Sequence, residues 1–360
     1  MAEIVLGIGT SHTPMLSLPA ELWPVFAKGD ENNPELAYPP HGVVMSYQEA
    51  LAAASPELRG KYQGPAPFRA QADDCQRALD ELSKTLRRAN PDITVIITDD
   101  QDEWFFEDNM PALAVYWGDS APLIPRRPPP RARDPEVAQA IVRGYGDVPM
   151  DVPVASRFGR FLIEYLTEHE FDVAHLRHVK QPYGGSVARR YPTRQGSELS
   201  YVRETPPHEQ GLPHGVAFVV KRLFANEPRA ILPVFQNTCY PPNQPTPRRC
   251  FSVGHAIAAA VQEWSEAATV AIIGSGGLSH FVVDEELDRG LLAALERKDA
   301  SALCSLPRHR LHSATSEALN WVTLGGAMQA TSLTMERLAY VPVYRTPAAT
   351  GGGWAFARWQ

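Results

Sequence analysis

The sequence predicts an α/β protein, and three observations carry that reading. Short apolar runs of strand length alternate with longer segments whose apolar residues recur at three- and four-residue steps. Several of the runs end directly in loops rich in glycine, aspartate or histidine, the edge at which open α/β sheets bind ligands. Hydrophobic residues make up 44% and charged residues 21% of the 360 residues, an ordinary balance for a chain that buries a core and not that of a disordered one.

In order along the chain, residues 3–9 are an apolar run ending in glycine, read as a buried strand, with a loop at 10–14. Residues 17–67 are rich in proline and polar groups, with one weak helical stretch at 47–54, and read as an insertion or lid. Residues 68–89 set Cys75, Leu79, Leu82 and Leu86 on one helical face, and Asn90-Pro91 stops that helix. A strand at 93–98 runs into Asp99-Asp100-Gln101-Asp102-Glu103, and a further strand follows at 112–117. Helices are expected at 134–143, 156–169, 215–224 and 252–265, with strands at 171–176, 230–236 and 269–274. The last of these strands meets Ser275-Gly276-Gly277-Leu278-Ser279-His280. Helices at 285–296 and 315–330 and a last strand at 338–344 complete the pattern. At roughly 150 residues per domain the length allows two domains. With no internal repeat and no sharp break in composition, 1–360 reads as a single domain carrying the 17–67 insertion.

Charge and composition exclude several classes of function. With 34 Lys+Arg against 41 Asp+Glu, the net charge is −7, unlike the basic face that nucleic-acid binding needs. The basic clusters are short: Arg126-Arg127 with Arg131 and Arg133, Arg189-Arg190, and Arg248-Arg249. The first sits among prolines and reads as a solvated loop. No apolar run approaches the ~18 residues of a membrane-spanning helix, and the opening residues show no basic segment or cleavage site, so neither a membrane span nor a signal peptide is expected. The four cysteines show no metal-finger spacing, and a reduced, cytoplasmic setting is the simplest inference. The 33 prolines, nearly twice the usual share of ~5%, gather at 125–135, 192–213 and 233–247 and mark extended connections.

Three strand-end loops concentrate the chemistry: His12 after the first strand, Asp99 to Glu103 after the second, and His280 after a glycine-rich turn. Each has a plainer reading. A single histidine after a strand is more often a loop hydrogen-bonder, Asp99-Asp100 suits a capping turn, and Gly274-Ser275-Gly276-Gly277 lacks the spacing and the lysine of a nucleotide loop. Trp104, Phe105 and Phe106 read as a core cluster before a pocket wall. The conjunction of three polar loops on one kind of edge is what favours a site.

These motifs carry a resemblance. Gly7-Ile8-Gly9-Thr10-Ser11-His12-Thr13-Pro14, Asp99-Asp100-Gln101, Gly276-Gly277-Leu278-Ser279-His280 and Glu317-Ala318-Leu319-Asn320-Trp321 occur in that order. So arranged, they resemble the class III extradiol ring-cleaving dioxygenases, the LigB-like family. Pro213-His214-Gly215, Tyr240-Pro241-Pro242, Arg249-Cys250-Phe251 and Gly325-Gly326-Ala327 extend the likeness nearly end to end. The insertion and the Asp-Asp-Gln triplet are most similar to the single-chain 3-O-methylgallate and gallate dioxygenase branch.

The resemblance implies a central mixed sheet flanked by helices, and an Fe(II) held by two histidines and a glutamate that leave room for substrate and O2. His12 matches the first histidine and Glu317 the glutamate. The second histidine reads Gln101 here. Gln101 then stands as the third ligand, with Asp100, Glu103 or His41 as alternatives, and an oxygen-rich site of that kind also suits Mn(II) or Mg(II). His280 matches the acid/base histidine, and His214 a histidine lining the pocket that hydrogen-bonds substrate or oxygen. Tyr240 is expected to wall the substrate site. The implied partners are a small catechol- or gallate-type aromatic and O2, with the ring cut beside its two hydroxyls, and a homodimer. Gln101 keeps two alternatives open: a metal-dependent enzyme on this scaffold that does not use O2, and a non-catalytic binding protein.

Overall fold

A nine-stranded mixed sheet forms the centre of the protein in a computed structural model. The structure describes residues 1–107, 109–179 and 211–360, together with the backbone of the paired strands Val187–Gln195 and Glu198–Thr205. The middle of the sheet is four parallel strands, in the spatial order Glu3–Thr10, Thr269–Ser275, Ile93–Asp99, Ala230–Gln236. Their sequences are nearly continuous apolar runs because both faces of such a sheet are covered; every residue of Ile93–Asp99 is buried. On one side Thr350–Trp359 runs antiparallel to Glu3–Thr10 and carries Met335–Tyr344 and His280–Val282 as its own antiparallel partners. On the other, Leu113–Tyr116 pairs antiparallel with Ala230–Gln236, and Ala174–Leu176 lies parallel beyond it.

Register is what positions the site. Thr10 lies opposite Ser275, Gly274 opposite Ile97, and Gln236 opposite Asp99. The carboxyl ends of the four parallel strands therefore come out nearly level, and the loops after them leave one edge together. The helix Ala318–Gln329 lies across the sheet beneath that edge, against the helix Pro247–Glu263. It is apolar all round and buried at nearly every position, as a helix enclosed on every side must be. Gly9 admits the Trp321 ring onto the first strand, where a Cβ would collide with it. The indole N–H of Trp321 then donates to the Gly276 carbonyl at 2.7 Å.

The α/β expectation agrees with this architecture, and the differences have local causes. The expected helix at 315–330 begins at Ala318, after a tight 3-10 turn Ser313–Glu317. The helix expected from 252 starts at Pro247, because the Thr246 side chain caps it by accepting the Arg249 N–H and proline suits the first turn. The strand at 338–344 is not the last. Thr350–Trp359 follows it and is buried almost throughout, its apolar pattern hidden in the sequence by Gly351-Gly352-Gly353. The strand expected at 171–176 is confined to Ala174–Leu176. Residues 17–67 form the short helices Trp23–Ala27, Tyr47–Ala53 and Pro56–Gly60 and the hairpin Leu36–Tyr38 with Val43–Met45. The side chains of Arg189 and Arg190, and part of the 192–213 proline cluster, lie outside the described residues. Among the described residues no helix is long and apolar enough to cross a membrane.

Candidate metal centre

Two of the level strand ends, a turn and the start of a helix together deliver a buried group of ligand-type side chains. His12 follows the first strand, Asp99 ends Ile93–Asp99, Glu317 closes the turn before Ala318–Gln329, and His214 opens the helix His214–Arg222. One ligand atom from each of these four lies within 4.8 Å of the others, and all four residues are buried. His280 approaches from the glycine-rich turn, its Nε2 3.5 Å from Glu317 Oε2. The same carboxylate oxygen is 3.4 Å from His12 Nε2.

Hydrogen bonds assign the imidazole tautomers. The Ser275 hydroxyl has one hydrogen, which it donates to the Gly215 carbonyl at 3.1 Å. His12 Nδ1, 2.9 Å from the same hydroxyl oxygen, must therefore be the donor in their contact. That leaves His12 Nε2 as a bare lone pair, buried and without a hydrogen-bond partner. In the same way His280 Nδ1 donates to the Leu278 carbonyl at 2.9 Å, so its Nε2 also carries a lone pair toward Glu317. Burial lowers His12 to about 3 and His280 to about 4, against which the nearby carboxylates act only in part. Both rings are neutral at physiological pH.

Glu317 itself is short of compensation. Its Oε2 accepts the Gly277 N–H at 2.7 Å and its Oε1 the Gln101 amide at 3.1 Å. Burial first, and then the Asp99 charge, push its carboxyl well above the usual carboxylate range. Two imidazole lone pairs and two carboxylates facing one another in a dry setting repel unless a cation joins them. A divalent metal fits that need, and the donors present, nitrogen and carboxylate oxygen, are those Fe(II) and Mn(II) accept. Asp99 is held from beneath by the Asn320 amide at 3.0 Å, which also donates to the Ser275 carbonyl. Asn320 accepts in turn from Gln236.

A second set of charges orients His214. Its Nδ1 is 2.6 Å from Glu103 Oε2, and its backbone N–H donates to both oxygens of the same carboxylate at 3.0 and 3.1 Å. Arg126 pairs with Glu103 from the other side and lies over the Tyr145 ring. Burial alone would lower His214, but the Glu103 charge carries it up to about 9. Burial alone would raise Glu103; Arg126 first and then His214 hold it well below the usual carboxylate range.

Beside His280 opens a cavity of about 560 Å³. Phe281 and Trp354 form one wall, the stretch 132–141 another, and Phe26, Gly29, Asp30 and Asn33 of the 17–67 segment a third. Asp30 is tied down by Arg345, with two N–H contacts of 2.9 Å to its two oxygens, and by the Thr350 hydroxyl at 2.7 Å.

The structure thus brings His12, His280 and Glu317 together, with Gln101 between Asp99 and Glu317. The amide nitrogen of Gln101 is 2.9 Å from Asp99 Oδ2 and 3.8 Å from Cys239 Sγ. His214 stands within the donor group as well as beside the pocket. Tyr240 is half-buried next to Cys239, its N–H donating to Asn237 and its chain entering a cis peptide between Pro241 and Pro242. Among the alternatives to Gln101, Asp100 is a capping residue that accepts the N–H groups of Glu103, Trp104 and Phe105. Glu103 serves His214, and His41 is exposed on the insertion. Trp104 and Phe105 belong to the main core. Sequence reasoning missed Asp99 as a donor, which its place at a buried strand end would have indicated. It also read the Arg126 stretch as a solvated loop; the ion pair with Glu103 corrects that reading for Arg126.

Comparison with known proteins gives one family. The model of the catalytic LigB subunit of aromatic ring-opening dioxygenase matches residues 55–351. His12 and most of the 17–67 segment lie ahead of the matched stretch. No curated protein matches the chain. Among solved structures, the uncharacterized protein JW3007 from Escherichia coli K12 aligns over 79% of this chain and 91% of its own, with 12% identity and a TM-score of 0.43.

Proposed function

We infer the activity from the family: the chain belongs to the LigB catalytic subunits of aromatic ring-opening dioxygenases. The reaction proposed is extradiol cleavage, in which O2 opens the ring of a catechol- or gallate-type aromatic beside its two hydroxyls. Fe(II) is the metal proposed, with Mn(II) as its alternative. Bound, it supplies the redox chemistry that joins the aromatic to O2. The observation that carries the reading is the pair of neutral imidazole lone pairs set 3.4 and 3.5 Å from a single buried Glu317 oxygen.

His12 and Glu317 hold the metal in this reading. His280 moves the proton. Its Nδ1 hydrogen is committed to the Leu278 carbonyl, so only Nε2 is free to accept a hydroxyl proton from the substrate and to return it to oxygen as the ring opens. Gly277 lets the turn pass close to that ring, where a Cβ would collide with it. The His280 side of the site opens into the cavity, whose Phe26, Phe281 and Trp354 walls suit an aromatic body. Arg133, on the wall formed by 132–141, suits the carboxylate of a gallate-type acid. Tyr240 is proposed as a further substrate contact. Residues 17–67, as an insertion on a single 1–360 unit, serve as the outer wall that shields the reaction from water.

The test is anaerobic reconstitution with Fe(II), followed by oxygen-electrode measurement on a panel of dihydroxy aromatics with and without a carboxylate. Oxygen uptake in proportion to substrate, with a ring-opened product, is the expected result. Bound metal with no uptake on any substrate would move the protein to an O2-independent reaction on the same scaffold. A chain that takes up no metal would leave only a binding role.

A further inference from the structure

We propose that His214 supplies the second imidazole of the metal centre, with Asp99 as an added oxygen donor, and that Gln101 is a hydrogen-bond donor to the two carboxylates rather than a ligand. This rests on the reading of the site as metal-binding, but not on its use of O2. The resemblance places the second histidine at position 101, in the loop after Ile93–Asp99, and that position holds an amide here.

Four observations carry it. The ligand atoms of His12, Asp99, His214 and Glu317 lie within 4.8 Å of one another, and His12 Nε2 is buried in that group with no partner. The Gln101 amide nitrogen sits 2.9 Å from Asp99 and 3.1 Å from Glu317. Both are acceptors, so the NH2 group faces them and the amide oxygen is turned away. His214 arrives ready oriented: Glu103 grips both its Nδ1 and its backbone N–H, Arg126 braces Glu103, and Nε2 is the ring nitrogen left to present. A carboxylate behind a histidine, fixing its tautomer and angle, is the usual support of a metal-bound imidazole. Finally, the His12 and His214 rings meet edge to face at 4.7 Å between centroids. Gly215 makes that approach possible, since a Cβ there would press on Thr98 and on His12 Cε1. Once the Nε2 proton of His214 is given up to solvent in exchange for the ion, two neutral imidazoles and two carboxylates face one divalent cation, with the charges balanced. Glu103 and Arg126 act as positioning residues.

The experiment is Mn(II) titration of the full chain by calorimetry, with pulsed EPR of the loaded protein to count coupled imidazole nitrogens. Wild type is expected to show two. His214→Ala should show one and bind Mn(II) about 100-fold more weakly. Glu103→Gln should keep two but bind on the order of 10-fold more weakly. Gln101→Ala should keep two and stay within about threefold of wild type; it remains informative should His214→Ala fail to fold. A wild-type count of one, no Mn(II) binding, or a Gln101→Ala variant that loses an oxygen-donor site and the metal with it would overturn the proposal. A wild type with two coupled nitrogens but no oxygen uptake would support it while removing the dioxygenase reading.

Discussion

Two of the clusters of charged side chains buried among the described residues are built on opposite terms. Asp30, Arg345 and Thr350 are all buried and complete: both carboxylate oxygens are occupied, by two guanidinium N–H groups and a hydroxyl. His12, Asp99, His214 and Glu317 are as deeply buried but unbalanced, with an unpartnered His12 nitrogen and two carboxylates in contact range of it. A polar cluster that only holds a fold together satisfies itself, because an unpaired buried charge is expensive. One that is left short in so well packed a core is kept for a species the chain does not itself provide. Glu103 and His214 show both habits side by side, a satisfied pair that props an unsatisfied ring.

Substitutions in the two clusters should separate them, and the largest effect belongs to the open one. His280→Ala should lower turnover by about 10²–10⁴-fold, while metal content and the unfolding midpoint stay near wild type; metal analysis beside steady-state rates checks this, and loss of the metal would make His280 a ligand instead. In the closed cluster the reverse holds. Arg345→Met strands Asp30 and should cost about 3–5 kcal/mol of stability, with or without metal, read from denaturant midpoints. Ser275→Ala removes the acceptor that fixes the His12 tautomer and should weaken metal binding by about 10–100-fold, with an unchanged far-ultraviolet spectrum. The smallest effect is on pH. Glu317 is held protonated in the metal-free fold to a higher pH than in the unfolded chain. The folded state then binds more protons, and stability falls as pH rises above the ordinary carboxylate value of 4.5. Glu317→Gln should flatten that fall in thermal melts of the metal-free protein. An identical slope in both proteins would show that the group carries its compensation already.

Part of the centre is legible in the sequence for a simple reason: His12 and His280 each stand within a few residues of the end of an apolar run, and level strand ends bring such residues together; Asp99 stands at such an end too but reads there as a capping residue. Glu317 falls inside the helix expected at 315–330 and lies instead at the turn before it, because that helix begins three residues later, at Ala318. The support of His214 is not legible. Glu103, Arg126 and His214 come from three separated stretches, and a proline-rich loop announces no ion pair. The strand Thr350–Trp359 is concealed by its glycines, which are there because neighbours leave no room for side chains: a Cβ on Gly353 would strike the Asp288 carboxylate.

The strand that leads into His12 has partners far from it along the chain. Its two sheet neighbours are Thr269–Ser275 and Thr350–Trp359. Glu3–Thr10 therefore finds one mate only at residues 269–275 and the other only at residues 350–359. Pairings so distant along the chain form slowly and leave an apolar strand exposed in the meantime. Closing that strand into the sheet is accordingly a late event in folding, and the His12 side of the metal centre is completed only with it.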